Sequence, residues 1–277
     1  MNSTSESPVD AAISVRGARR TYELEDFSHL VALHDVDLEV KAGSFVSVIG
    51  PSGCGKSTLL RAVGGLEPLE SGEVRVCGRT PKEVASAKGF GFVPQTPSLL
   101  PWLSVLKNVT VAQKVNRKHN RTPAPDLEHL LRVAGLGEAM HKLPRELSGG
   151  MQQRTAIVRA FGLRPDVMLM DEPFSALDEF TRETLQGQLL DLWAETRCTV
   201  LFVTHSISEA VRLSDQVVVM APRPGRVVDV IDVDLPRPRD ADLLKSPEFH
   251  AVEARVRDSL WAAFDEVPPP VTQRGRV

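Results

Sequence analysis

The sequence is poor in the residues that build several kinds of protein. Among 277 residues there are three cysteines, one tyrosine and three tryptophans. Cys54, Cys77 and Cys198 lie scattered without metal-ligand spacing, and so odd and sparse a set excludes a disulfide framework. Cys77 and Cys198 read as small core residues. No apolar run reaches the ~18 residues that a membrane-spanning helix needs. The 33 Lys and Arg stand against 36 Asp and Glu, a net charge of −3, which leaves no positive excess for a nucleic-acid backbone. No N-K-x-D guanine motif occurs. The opening MNSTSESPVDAA has neither the basic nor the apolar region of a secretory leader, so a cytosolic chain is expected. A hydrophobic content of 42% over this length suffices for a sizeable core.

The apolar residues that are present fall into two patterns. In HDVDLEV, Val36, Leu38 and Val40 alternate with Asp35, Asp37 and Glu39, which predicts a half-exposed strand of an antiparallel sheet. SFVSVIG (44–50), VMLMDEP (167–173) and TVLFVTH (199–205) are short, nearly continuous apolar runs, as buried parallel strands are. Helical patterns such as 181–196 lie between them, so a parallel sheet covered on both faces is expected. From about 97 to 165 the pattern turns mostly helical, including 126–137 and the segment after LSGG, and predicts a helical subdomain inserted into the sheet domain. Residues 223–240 read as a strand pair followed by a proline-rich stop. A last amphipathic helix follows, with Ser246 as N-cap and Pro247 in its first turn. Its apolar stripe is Phe249, Val252, Val256, Leu260 and Phe264, a docking face on the parent domain.

Chemistry enters at GPSGCGKS, a match to G-x-x-x-x-G-K-S between a buried strand and a helical pattern. Gly50, Pro51, Ser52, Gly53, Cys54, Gly55, Lys56, Ser57 and Thr58 are the expected cradle of a nucleoside triphosphate. Glycines let successive N–H groups turn toward one anion, and a helix start adds positive potential. Lys56 is placed to reach the β- and γ-phosphates, and the Ser57 hydroxyl to bind Mg²⁺. At the end of VMLMDEP, Asp171 is assigned to the metal and Glu172 to polarising the attacking water. Ser148, Gly149 and Gly150 in LSGGMQQR read as a second anion site at a helix start.

Two phosphate motifs in this order, with LSGG ahead of the Asp-Glu strand, resemble the ATP-binding cassette (ABC) family. Gln95 in FVPQT, SALD (175–178) and His205 in FVTHS stand where that family has its Q-loop, D-loop and switch histidine. The resemblance implies an α/β fold: a P-loop NTPase (RecA-like) core with an N-terminal antiparallel β subdomain and an inserted α-helical subdomain. It divides the chain into a disordered tail (1–11), a nucleotide-binding domain (12–240, its helical subdomain at about 97–165) and a C-terminal amphipathic helix and tail (241–277). It implies ATP and Mg²⁺ as cofactors, and two cassettes paired head to tail. Each signature would then cover the γ-phosphate held by the other's P-loop. Gln95 would sense the γ-phosphate and Mg²⁺, His205 would hold the γ-phosphate or orient the water, and Asp178 would bridge the subunits. Tyr22, the single tyrosine, stands where the family stacks an aromatic on adenine, with Phe27 as its competitor.

Leu99, Leu100, Pro101 and Trp102 follow Gln95, where the family's helical lobe meets a membrane subunit, although packing within the lobe is the alternative. QxxxLLPW, with the 223–240 segment, resembles ATP-binding subunits of the nitrate/sulfonate/taurine importer group. Leu143 departs from that pattern, because many relatives carry an aromatic before Pro144. The resemblance implies separate membrane permease subunits touching the Gln95–Trp102 region and a second copy of the cassette. It also implies, indirectly, a solute-binding protein, and a place on the cytoplasmic face of the inner membrane. The alternative is a soluble ABC-type ATPase acting on nucleic acid or ribosomes.

Overall fold

A computed structural model describes residues 11–265 except Leu24, Asp26, Phe27 and Arg223, and for Phe264 and Asp265 the backbone alone. Thus Phe27 and residues 1–10 of the expected tail lie outside the described residues. Ala11, read as the tail's last residue, instead opens a strand by pairing with Lys41.

Two sheets form. β1 (Ala11–Glu23) pairs antiparallel with β2 (His29–Lys41) and with β4 (Ser71–Val76) in a three-stranded sheet. The expected alternation is present: Val36, Leu38 and Val40 are buried while Asp35, Asp37 and Glu39 are exposed. The second sheet has the order β5-β6-β7-β3-β8-β9. Its strands are β3 (Phe45–Ile49), β5 (Phe90–Val93), β6 (Val167–Asp171), β7 (Thr199–Thr204), β8 (Gln216–Ala221) and β9 (Arg226–Asp232). All neighbours are parallel except β9, which runs antiparallel on the β8 edge. Residues 223–240 therefore contribute one strand rather than two, because its partner β8 comes from the preceding apolar run.

Every residue of β3, β6 and β7 is buried, and successive residues serve opposite faces. Phe45, Met168, Met170, Val200 and Phe202 pack with α3 (Val105–Lys114), α4 (Leu127–Val133), α5 (Gly149–Phe161) and α6 (Glu179–Thr196). Val46, Val48, Val167, Leu169, Leu201 and Val203 pack toward α1 (Lys56–Val63), α2 (Pro81–Ser86) and the three-stranded sheet. Between β5 and β6 the regular elements are helices, but long loops separate them. The helix expected over 126–137 stops at Val133, since Gly135 at φ 67 supplies the left-handed turn that ends it.

A third cluster joins α7 (Ile207–Leu213), β8 and β9 to α8 (Pro247–Asp265) through Phe249 and Val256. The Ser246 hydroxyl caps α8 by accepting from the Phe249 amide at 3.1 Å. Val252 and Leu260 flank this stripe, and Ala263 is buried at its far end. Cys198 is buried as expected, but Cys77 is exposed. Cys77 and Gly78 take φ 49 and 72 in the turn between Val76 and Arg79, and a turn tip has no core beside it.

Arg239 holds the chain that leads to α8. Arg239, 3% exposed, donates through its guanidinium to the carbonyls of Val211, Arg212, Ser214, Val233 and Leu235. Burial, with Arg237 nearby, lowers its pKa to about 10. Replacing Arg239 by Leu strands several buried carbonyls. The expected loss is about 3 kcal/mol, or a fall of about 6–12 °C in melting temperature by calorimetry.

Candidate functional site

β3 ends at Ile49 and delivers Gly50 into a crowded turn. A Cβ there would lie 2.6 Å from the Met220 carbonyl oxygen and 2.7 Å from Cys54 Sγ. The loop closes at Gly55, which starts α1 at φ 94 with no side-chain cap. The first N–H groups of α1 are thus left for an external acceptor. Lys56, 5% exposed, arches back over the loop and donates to the carbonyls of Gly50 (2.8 Å) and Pro51 (3.1 Å).

In front of this loop is a cavity of about 270 Å³. Ser52, Gly53, Gly55, Lys56, Ser57 and Thr58 form its floor, Glu172 one side, and Tyr22, Leu30 and Ala32 the opposite wall. Tyr22 thus shares a cavity with residues far away in sequence. Its cross-strand partner is Leu30, 40% exposed, and the Arg20 guanidinium stacks over its ring at 4.8 Å. A flat ligand would therefore meet the ring's other face. Sequence reasoning missed Leu30, Ala32 and Arg20, although an exposed Leu in the strand opposite Tyr22 was a usable signal. A larger hollow of about 450 Å³ between β9 and α8 contains none of these groups.

The ends of β6 and β7 complete the far side. Asp171, 6% exposed, accepts from the Ser57 hydroxyl at 2.7 Å, and Arg61 lies 3.9 Å from its other oxygen. A hydroxyl and a carboxylate in contact are hard oxygen donors suited to Mg²⁺. Among the described residues no three His, Cys, Asp or Glu converge on one point. Glu172 adopts φ 45, a conformation that costs a non-glycine residue about 1 kcal/mol or more. Its amide donates to the Val203 carbonyl at 2.9 Å, and its Oε2 lies 3.3 Å from His205 Nδ1.

Gln95 follows β5 but does not line the cavity. Its amide nitrogen donates to the Ser175 hydroxyl at 3.2 Å, and that hydroxyl donates to the Glu172 carbonyl at 3.0 Å. The sequence also gave no notice of a buried network behind His205. Glu209 accepts from the Thr204 hydroxyl and from Gln186, and faces Arg182, whose other nitrogen donates to the Leu177 carbonyl at 2.8 Å. Burial raises the Glu209 pKa. The SALD segment and the histidine loop therefore share one support.

None of residues 148–150 lines the cavity. Ser148 caps α5 by accepting from the Met151 amide at 3.3 Å. Gly149 faces open space, whereas a Cβ on Gly150 would come within 2.7 Å of the Thr181 side chain. Asp178 caps α6 by accepting from the Thr181 amide at 3.0 Å, and that bond holds its carboxyl below the usual range. Ser148, Gly150 and Asp178 thus have a local structural task as well as any task toward a ligand, whereas Gly149 has none within 4 Å. The LLPW loop is split: Leu99 and Leu100 are half-buried, whereas Trp102 is 71% exposed. The buried Asn108 accepts from the Leu100 amide and donates to the carbonyls of Leu100, Leu103 and Ser104. Arg159, from α5, donates to the carbonyls of Pro97 and Ser98.

The sequence profile of the ABC transporter family matches residues 33–175, from β2 through the Asp171–Glu172 corner to Ser175. This chain belongs to that family. The cassette is 43% identical to the nitrate import ATP-binding protein NrtD of Synechococcus elongatus, covering 84% of this chain and 86% of that one. It is 44% identical to the taurine import ATP-binding protein TauB of Rhizobium johnstonii, covering 84% and 90%. Among solved structures it resembles the ATP-binding cassette MJ0796 in a dimeric post-hydrolysis state bound to ADP and Pi. The TM-score there is 0.69 at 32% identity, covering 81% of this chain and all of that one.

Cys54 is the one thiol inside the phosphate motif. It is fully buried in the apolar cluster beneath the loop, and burial raises its thiol pKa. Iodoacetamide at neutral pH is expected to label the exposed Cys77 first and leave ATP turnover unchanged. Mass mapping alongside a phosphate-release assay checks this.

Proposed function

We propose that this chain is the ATP-hydrolysing subunit of an ABC importer and powers uptake of a small anionic solute through separate membrane subunits. The observation that carries the reading is the single cavity joining Tyr22, the Lys56 loop and Glu172. Among the described residues no helix is long and apolar enough to cross a membrane. The relatives named for nitrate and taurine import support the solute class. The division into 12–240 with a helical subdomain at about 97–165, and a C-terminal part from 241, belongs to the same proposal. So does the place of the chain at the cytoplasmic face of the inner membrane.

The adenine stacks on the free face of Tyr22 against Leu30. The triphosphate lies along the loop, where Lys56 exchanges its two carbonyl partners for β- and γ-phosphate oxygens. Ser57 and Asp171 offer the oxygens that would hold Mg²⁺, which would supply charge neutralisation on the phosphates. Glu172 orients the attacking water and accepts its proton, and His205, 3.3 Å away, steadies that carboxylate or the γ-phosphate. Gln95, which here donates to Ser175, would turn its amide toward a bound γ-phosphate and cation, and the loop held by Asn108 and Arg159 would move with it. Trp102 is the exposed anchor that meets the permease.

Ser148 and the amides of Gly149 and Gly150 lie outside the cavity, so they act on a nucleotide held by a second copy. One patch serves twice in a two-fold pair, with Asp178 at the seam. ATP holds the pair together, hydrolysis releases it, and the membrane subunits follow.

Ser148→Ala is expected to lose at least tenfold in ATPase rate while still binding ATP at its own loop. Mixing it with inactive Lys56→Ala should restore part of the activity, because the mixed pair holds one intact chamber. Failure of the mixture to recover any turnover in a phosphate-release assay rejects the shared site. Glu172→Gln should trap an ATP-bound pair, seen as a doubled mass by size exclusion with light scattering, with turnover lowered about a hundredfold or more. Turnover at the wild-type rate would remove Glu172 from the role of base.

A further inference from the structure

The rear of the phosphate loop rests on a hairpin that no motif marks. β8 and β9 are joined by residues 222–225, and the register closes at Ala221 and Arg226. This hairpin meets the loop at both ends. Met220, in β8, backs Gly50, where an added Cβ would lie 2.6 Å from the Met220 carbonyl oxygen. Gly225, at the hairpin tip, backs the other end. A Cβ on Gly225 would lie 2.2 Å from the Ala32 carbonyl oxygen and 2.3 Å from that of Cys54. The Gly225 carbonyl accepts from the His34 amide at 2.9 Å.

The Ala32 carbonyl is therefore enclosed twice. A Cβ on Gly55, where α1 begins, would stand 2.3 Å from the same oxygen. Three backbones converge here, β2, the phosphate loop and the β8–β9 tip, with the Leu33 side chain beside Gly55. Ala32 itself lines the cavity on the wall of Tyr22 and Leu30, whereas Gly55 lines its floor. The junction thus sets the distance between the wall that takes the base and the floor that takes the phosphates. Gly225 is not among the positive-φ glycines, so space rather than backbone conformation demands glycine. Ordinary carbon–oxygen contacts are about 3.3 Å or longer, so one methyl group would push the strand and the loop apart by about 1 Å.

We infer that Gly225 is a positioning residue for nucleotide binding, acting through the backbones of Ala32 and Cys54. This inference rests on the nucleotide reading of the cavity. Misplacement of a positioned group by about 1 Å can cost about a hundredfold in a reaction's rate, and a nucleotide held on both sides is subject to the same geometry. Pro224 restrains the tip by fixing its own φ, so Pro224→Gly loosens the same contact without adding bulk.

The experiment is calorimetric titration of the full chain with MgATP, beside its nucleotide-free melting temperature. Gly225→Ala should raise the Kd at least tenfold and Pro224→Gly about threefold, with the nucleotide-free melting temperature shifted by only a few degrees. A merely structural role would lower the melting temperature and leave the Kd of the folded protein within twofold of wild type, and that result overturns the inference. If Gly225→Ala does not fold, Pro224→Gly decides alone, and an unchanged Kd in it is equally fatal. Failure of the wild type itself to bind MgATP would instead sink the functional reading, so the two failures are distinguishable.

Discussion

The parallel pairing of β6, β7 and β3 is the constraint on which the site depends. Ile49 pairs with Thr204, and Asp171 with Val203, so three strands end in step along one edge. In open parallel sheets the carboxyl ends of the strands form the ligand crevice. Here that edge delivers Gly50, Asp171, Glu172 and His205 together, although they are spread over more than half the chain. Register has to hold, because a slip of one residue would turn each buried strand's side chains to the opposite face. Period-two sorting of Phe45, Met168 and Phe202 to one helical layer, and of Val46, Leu169 and Val203 to the other, locks it.

Close backbone approaches at glycine refine this frame. Gly50, Gly55 and Gly225 let strands and loops meet at distances that a side chain would forbid. Gly150 does the same between α5 and α6. The signature segment and the start of α6 are therefore built as one body. Arg182 joins that body to the histidine loop through Glu209, and Arg159 joins α5 to the LLPW loop. These polar supports are partly or fully buried, where an unmatched donor costs about 1–3 kcal/mol. They therefore have few alternative arrangements, which suits parts that must move as units.

Much of the architecture was legible because it rests on local patterns. Continuous apolar runs marked β3, β6 and β7, and alternation marked the second half of β2. Glycine spacing before Lys56 marked the phosphate loop. Local reading failed where the outcome rests on what lies opposite. Cys77 looked like a core residue but is exposed at a turn tip, where Cys77 and Gly78 take positive φ. Residues 223–240 looked self-paired, yet β9 found β8. The helix expected to reach residue 137 stopped at Val133 because one glycine turned left-handed.

By itself, the sequence determined which chemical groups exist and in what order: a lysine and serine after a glycine-rich loop, two acids after a buried strand, a histidine after another. Local spacing carries that information, since a strand end or a helix start needs only its neighbours. Only the tertiary structure decided that Tyr22, Leu30 and Ala32 face Lys56 across one cavity. It alone kept Ser148 out of that cavity and set Gly225 behind the loop. Those facts depend on sheet order and on backbones meeting from distant parts of the chain, and no local pattern encodes a distance between segments that touch only after folding.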